Sequence, residues 1–199
     1  GEAKRVLESV LEYKDKLNKV AILYRINSQS RIIEDELRKS GIPYQIIGGV
    51  KFYDRKEIKD ILAYLKLLLN DKDSISFDRI INFPARGIGK TTLEKMHVYA
   101  SKKEISLYLA SKNSIDLNIS DKQSKNIKSF YLLIEQYKRR LKKESASEIT
   151  KDLLKDLQIE KFYDNQSTVE ANERWLNIEE LIASIKEHEN NNTNASLRT

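Results

Sequence analysis

"FPARGIGKTT", Phe83–Thr92, decides how this chain is read, because its end imitates the close of a nucleotide-binding P-loop. That pattern, G-x-x-x-x-G-K-S/T, needs a glycine five residues before its last one, and counting back from Gly89 reaches Pro84. Proline gives no backbone N–H to a phosphate cradle and cannot take the positive φ open to glycine. The segment upstream, "DSISFDRIINF" (Asp73–Phe83), patterns as a helix, not as the buried strand that precedes a P-loop. The stretch is therefore expected to be a corner between two short helices, the second beginning near Lys90.

Around that corner the pattern is helical. "DRKEIKDILAYLKLLLN" places Ile58, Ile61, Leu62, Leu65, Leu68 and Leu69 on one face. "SDKQSKNIKSFYLLIEQYKRRLKKE" carries Ile127, Phe130, Tyr131, Ile134, Tyr137 and Leu141 at helical spacing. "SASEITKDLLKDL" opens with a capping box, Ser145 to Glu148, and "EANERWLNIEELIASIKEHE" presents Trp175, Ile178, Leu181, Ile182 and Ile185 as a core-facing stripe.

Toward the N-terminus the character changes. "KVAILYR" (Lys19–Arg25) reads as a buried parallel strand. "NSQSRIIEDELRKSG" reads as a helix capped by Asn27 or Ser28 and stopped at Gly41, and "IPYQIIGG" as a returning strand ending at Gly48-Gly49. The expected fold class is mainly α: a short, incomplete βαβ unit over residues 1–48, a helical unit over 49–188, and a polar, asparagine-rich, disordered tail over 189–199.

The 199 residues carry a formal charge of +6, which favours an anionic partner. No apolar run reaches the roughly 18 residues of a membrane span. With no cysteine, disulfides and thiolate metal sites are excluded, which suits a reducing cytoplasm, and His97 and His188 lie too far apart to suggest zinc. No nucleophile–base pair or metal-ligand cluster stands out, so neither a catalytic nor a metal site is expected.

The corner itself reads two ways. Gly87 and Gly89 permit close backbone approach, and a helix starting at Lys90 offers unpaired N–H groups beside Lys90, Thr91 and Thr92, which is a phosphate site. The other reading is a tight turn with Ile88 packed inside. "LYRINSQSR" sets Arg25, Asn27, Ser28 and Arg31 where a strand meets a helix, a ligand-binding edge in open α/β sheets or simply a capped helix start. "KFYDRKEIKD" is either a solvated charged face or a source of phosphate contacts from Lys51, Arg55, Lys56 and Lys59. The run "KRRLKK" after Tyr137 suits a helix C-terminus and could also touch nucleic acid.

"VAILYRINSQSRIIEDELRKSGIPYQIIGGVKFYDRKEIKDILAYLKLLLN", continued by "DRIINFPARGIGKTTLEKM", resembles the UvrD/PcrA/Rep family of superfamily 1 DNA helicases, closely from Val20 to about Tyr99 and faintly again at "ERWLNIEELIASIKEHE". The resemblance implies the start of the second RecA-like domain (2A) and most of its helical insertion (2B), with the seam near Gly48-Gly49. It implies single-stranded DNA contacts at Arg25 and Asn27, and duplex contacts at Lys59, Arg86, Gly87, Ile88, Gly89 and Thr92. It further implies a bacterial, cytoplasmic, ATP-dependent 3′-to-5′ helicase of DNA repair or replication. ATP and Mg²⁺ would be held by the parent protein and not by this segment. The implied partners are DNA, the rest of the helicase chain and repair proteins, with no membrane. Two alternatives are a protein-docking module that restrains the helicase, and the same region of a helicase-nuclease.

Overall fold

The computed structural model describes residues 1–141 and 143–191. Among them the chain forms α1 (Glu2–Leu11), α2 (Ser30–Lys39), α3 (Lys56–Leu69), α4 (Ser74–Ile80), α5 (Lys90–Lys103), α6 (Leu107–Lys112), α7 (Asp121–Arg140), α8 (Ala146–Asp156), α9 (Ile159–Asp164) and α10 (Val169–Asn191). Short 3-10 turns at Lys14–Lys19, Asn27–Gln29, Phe52–Asp54 and Ser114–Asp116 join them. The mainly α expectation holds. The helix α10 runs to Asn191, into the stretch expected to be a tail, and residues 192–199 of that tail lie outside the described residues.

The expected βαβ unit is corrected: no strand forms among the described residues. The helix of that unit is present as α2, but the segments on either side of it are unpaired. An apolar, β-branched run favours extended backbone, yet only a ladder of hydrogen bonds to a neighbour makes it a strand. Leu23 is 93% exposed and Ile47 is 87% exposed, which is how a would-be buried strand looks with nothing beside it.

Capping of α2 also differs from expectation. Neither Asn27 nor Ser28 caps it; a 3-10 turn intervenes, closed by Gln29 Oε1, which accepts the N–H groups of Arg25 at 3.1 Å and Ile26 at 3.4 Å. The far end stops as the glycine predicts. Gly41 sits at φ +67°, and the N–H of Ile42 reaches back to the carbonyl of Leu37 at 2.9 Å.

The helical core is built around α3, which packs on α4, α7 and α10. Of the apolar stripe read from its sequence, Ile58, Ile61, Leu65 and Leu68 are buried and Leu62 and Leu69 partly so; Ala63, Tyr64 and Leu67 on its flanks are buried as well, because helices cover it on several sides. Phe130 of α7 meets Phe77 of α4 edge-on at 5.7 Å, a favoured aromatic geometry. Ile178 and Leu181 of α10 are buried, with Trp175, Ile182 and Ile185 partly covered beside them. The Ser145–Glu148 capping box forms, and a second one joins Ser120 and Gln123 at the start of α7.

This apolar cluster runs from Phe52 to Leu181 and takes no residue from the first 51. The N-terminal segment is attached instead by polar contacts. Buried Glu34 of α2 accepts the Phe52 N–H at 3.2 Å, and Arg31 pairs with Glu180 of α10 at 2.6 Å.

Candidate nucleic-acid interface

The corner begins with α4, whose first turn is capped by Asp73: its Oδ1 accepts the Ser76 N–H at 2.9 Å. That backbone hydrogen bond, with the Ser76 hydroxyl, holds the Asp73 carboxyl below the usual carboxylate range. Past α4 the Phe83–Pro84 peptide is cis. Asn82 then organises the turn, its Oδ1 accepting the N–H groups of Arg86 at 2.7 Å and Ile88 at 3.1 Å.

Arg86 does not point to solvent. Its Nη1 donates to the carbonyls of Ile80, Ile81, Phe83 and Pro84 at 2.9–3.2 Å, and its Nη2 donates to the Tyr64 hydroxyl at 2.7 Å. The guanidinium stacks 5.1 Å from the Phe130 ring centre, and the Tyr64 hydroxyl in turn donates to the Phe83 carbonyl. Burial pushes the Tyr64 phenol up to about 12, against the opposing pull of Arg86. Asn126 of α7 closes the assembly by donating to the Arg86 carbonyl at 2.8 Å. Arg86 is thus a knot tying together four loop carbonyls, two of which, those of Ile80 and Phe83, also accept from the Phe83 N–H and the Tyr64 hydroxyl.

On this frame the two glycines behave differently. Gly87 sits at φ +69°, a conformation that costs an L side chain about 1–2 kcal/mol. Gly89 sits at φ −86°, ψ 177°, extended backbone open to any residue, and an added Cβ there would meet nothing within 4 Å. Its value is therefore not conformational; it leaves the surface bare. Ile88 between them is only 3% exposed and belongs to the core. Both readings of the corner are thus compatible.

Gly89 precedes α5, and no side chain caps that helix. The Lys90 side chain is 91% exposed, with Glu94 no nearer than 4.0 Å, and Thr91 is exposed. Thr92 is 4% exposed, its Oγ1 accepting Gln123 Nε2 of α7 at 2.8 Å. A cleft of about 620 Å³ opens beside the turn between Gly87 and α7, with exposed Lys122 and Ser129 on its far wall.

The other expected contacts lie elsewhere. Arg25 is exposed, and Asn27 donates its Nδ2 to Glu173 Oε2 of α10 at 2.8 Å. Lys59 pairs with Asp54 at 2.7 Å, and this hydrogen bond holds the Asp54 carboxyl below its ordinary range. No hydrogen bond or ion pair joins the Arg25–Asn27 group to the Gly87–Thr92 group among the described residues. Arg55 is neither a solvated nor a phosphate-ready cation: it is buried. In the basic run, Lys138 pairs with Asp71 at 2.9 Å and Arg140 with Glu144 and Asp152.

The corner does not fit the phosphates of ATP: Pro84 stands where the cradle needs a glycine, and the Arg86 and Ile88 amides are already taken by Asn82. Sequence reasoning gave no role to Asn82, Tyr64, Gln123 and Asn126, which build the corner. Their hydrogen bonds to it span 4–40 positions and leave no periodic signal.

The chain belongs to the family described as the UvrD-like helicase C-terminal domain, which matches residues 1–199. It is 41% identical over 184 residues to the ATP-dependent DNA helicase PcrA of Bacillus subtilis, covering 92% of this chain and 25% of that protein. It is 37% identical over 193 residues to the PcrA of Staphylococcus epidermidis, covering 96% of this chain and 26% of the relative. The chain thus spans about a quarter of the length of the curated relatives it matches. Among the described residues no helix is long and apolar enough to cross a membrane.

Proposed function

We propose that this chain is the DNA-gripping region of a cytoplasmic, ATP-dependent 3′-to-5′ DNA helicase, comprising the start of domain 2A (residues 1–48) and most of subdomain 2B (49–188). The supporting observation is the corner: a rigid turn, a bare Gly89 and an uncapped α5 start flanked by exposed Lys90 and Thr91. Backbone amides at a helix N-terminus, with a cation and a hydroxyl, suit a phosphodiester and carry no base preference. Gly87, Gly89, Lys90 and Thr91 are the contacting groups in this reading. Arg86, Ile88 and Thr92 hold them in place from inside, and Lys59 contributes charge.

At the other end, Arg25 and Asn27 face a single strand. The unpaired segments at Val20–Tyr24 and Ile42–Ile47 become strands against the remainder of a RecA-like sheet in the longer protein, which also supplies the nucleotide site. The chain alone does not hydrolyse ATP.

The test is a titration of fluorescent duplex–single-strand junction DNA against wild type and Lys90→Ala. Binding should weaken for every sequence tried, and the slope of log affinity against log salt should become shallower by about 1. Unchanged affinity and slope, both for this variant and for Gly89→Ala, would overturn the duplex reading and favour protein docking.

A further inference from the structure

Asn27 is held at both ends. Its carbonyl accepts Arg55 Nη1 at 2.9 Å, while its side-chain Nδ2 donates to Glu173 Oε2 at 2.8 Å. Arg55, only 7% exposed, also donates to Asn177 Oδ1 at 2.8 Å and to Ser30 Oγ at 2.6 Å. Asn177 is buried one helical turn beyond Glu173 on α10, and its Nδ2 donates to buried Glu57 Oε1 of α3 at 2.7 Å. The register of α10 is therefore set by an interior network, and that register brings the Glu173 carboxylate to the Asn27 amide. The network is interior, but the contact it delivers is not: Asn27 is exposed and Glu173 half-buried.

We propose that Glu173 competes with a nucleic-acid strand for Asn27: its carboxylate holds the donor that the strand would take, and Arg55 and Asn177 are the positioning residues that present it. The proposal rests on the reading of Asn27 as a single-strand contact. A carboxylate is an anionic acceptor, as a phosphodiester is, so it satisfies Nδ2 in the strand's absence. Its charge also repels the incoming backbone. Strand binding then has to separate Glu173 from Asn27, which loosens one of the polar ties between α10 and the N-terminal segment. Arg31–Glu180 remains as another tie.

The experiment measures oligothymidine binding by anisotropy, at low salt and without nucleotide, in the full-length protein. Wild type is compared with Glu173→Ala, Glu173→Gln, Asn27→Ala and the Asn27→Ala/Glu173→Ala pair. Asn27→Ala should weaken binding. Glu173→Ala should tighten it about threefold to tenfold, the effect of one freed donor and one removed like charge. Glu173→Gln should fall between, and the pair should gain less over Asn27→Ala than Glu173→Ala gains over wild type. A Glu173→Ala variant that binds no better, or a gain that is undiminished in the Asn27→Ala background, overturns the competition while leaving Asn27 as a contact. If Asn27→Ala binds like wild type, the single-strand reading itself fails and the competition with it. Arg55→Lys separates positioning from general structure. It should tighten oligothymidine binding, by less than Glu173→Ala does, and leave blunt-duplex binding unchanged; no gain for oligothymidine, or an equal change in both, overturns the positioning role.

Discussion

The carboxamide oxygen of Asn82 accepts two backbone N–H groups at once, from Arg86 at 2.7 Å and from Ile88 at 3.1 Å, and so folds the Pro84–Gly87 loop around one side chain. This contact separates stability from binding. Asn82→Ala leaves both amides without their partner and should cost about 2 kcal/mol. In a chain of this length that lowers Tm by about 4–8 °C, measurable by calorimetry. Asn82→Asp keeps the acceptor oxygen and should stay within about 1 kcal/mol of wild type. It also places a negative charge beside Gly87, so junction-DNA binding should fall even though the fold survives.

The two glycines make opposite predictions. Gly87→Ala forces an L side chain to φ +69° and should destabilise by about 1–2 kcal/mol in thermal melts. Gly89→Ala meets nothing within 4 Å and costs at most about 1 kcal/mol, through the poorer helix-start preference of alanine. Its methyl nevertheless stands where a phosphate would approach. Duplex affinity should therefore drop more for Gly89→Ala than its stability does, read by titration and melting of the same sample.

Arg86→Lys preserves the charge and loses the fork. A lysine ammonium cannot serve the carbonyls of Ile80, Ile81, Phe83 and Pro84 while also holding the Tyr64 hydroxyl. Stability should fall by about 2–3 kcal/mol in urea denaturation, with the slope against urea unchanged.

The Asp73 cap predicts a pH dependence. Its carboxyl titrates lower in the folded chain than in the unfolded one, where a carboxyl has its ordinary value near 3.8. The unfolded state therefore takes up the proton first as pH falls. The stabilisation is fully present above the ordinary value and is lost as pH drops through the depressed one. Asp73→Ala should cost about 1 kcal/mol at pH 7, and the gap from wild type should narrow as the pH falls below the ordinary value of 3.8, in melts run across that range.

Much of this was legible in one dimension, and the misses share a cause. The helix α3, the capping box at Ser145–Glu148, the stop at Gly41 and the corner opening at Lys90 follow from residues within a few positions of one another. The two segments expected to be strands follow a different logic, since extended backbone is local but pairing needs a neighbour from elsewhere. Arg55 and Arg86 illustrate the same limit. In the sequence Arg55 stands among charges that suggest solvent or phosphate and the resemblance points Arg86 to duplex DNA, while in the structure both donate to carbonyls and hydroxyls of the chain itself.

What the sequence by itself determined is where α5 and α8 start, which faces the long helices turn inward, and that Pro84 rules out a P-loop at Gly87–Thr92. What only the tertiary structure decided is which donors remain open. The hydrogen bond from Arg55 to Asn177 joins residues 122 positions apart, and that from Gln123 to Thr92 joins residues 31 apart. Helix periodicity and capping act over about one turn, whereas each polar group's partner is chosen by packing, after distant segments have been brought together.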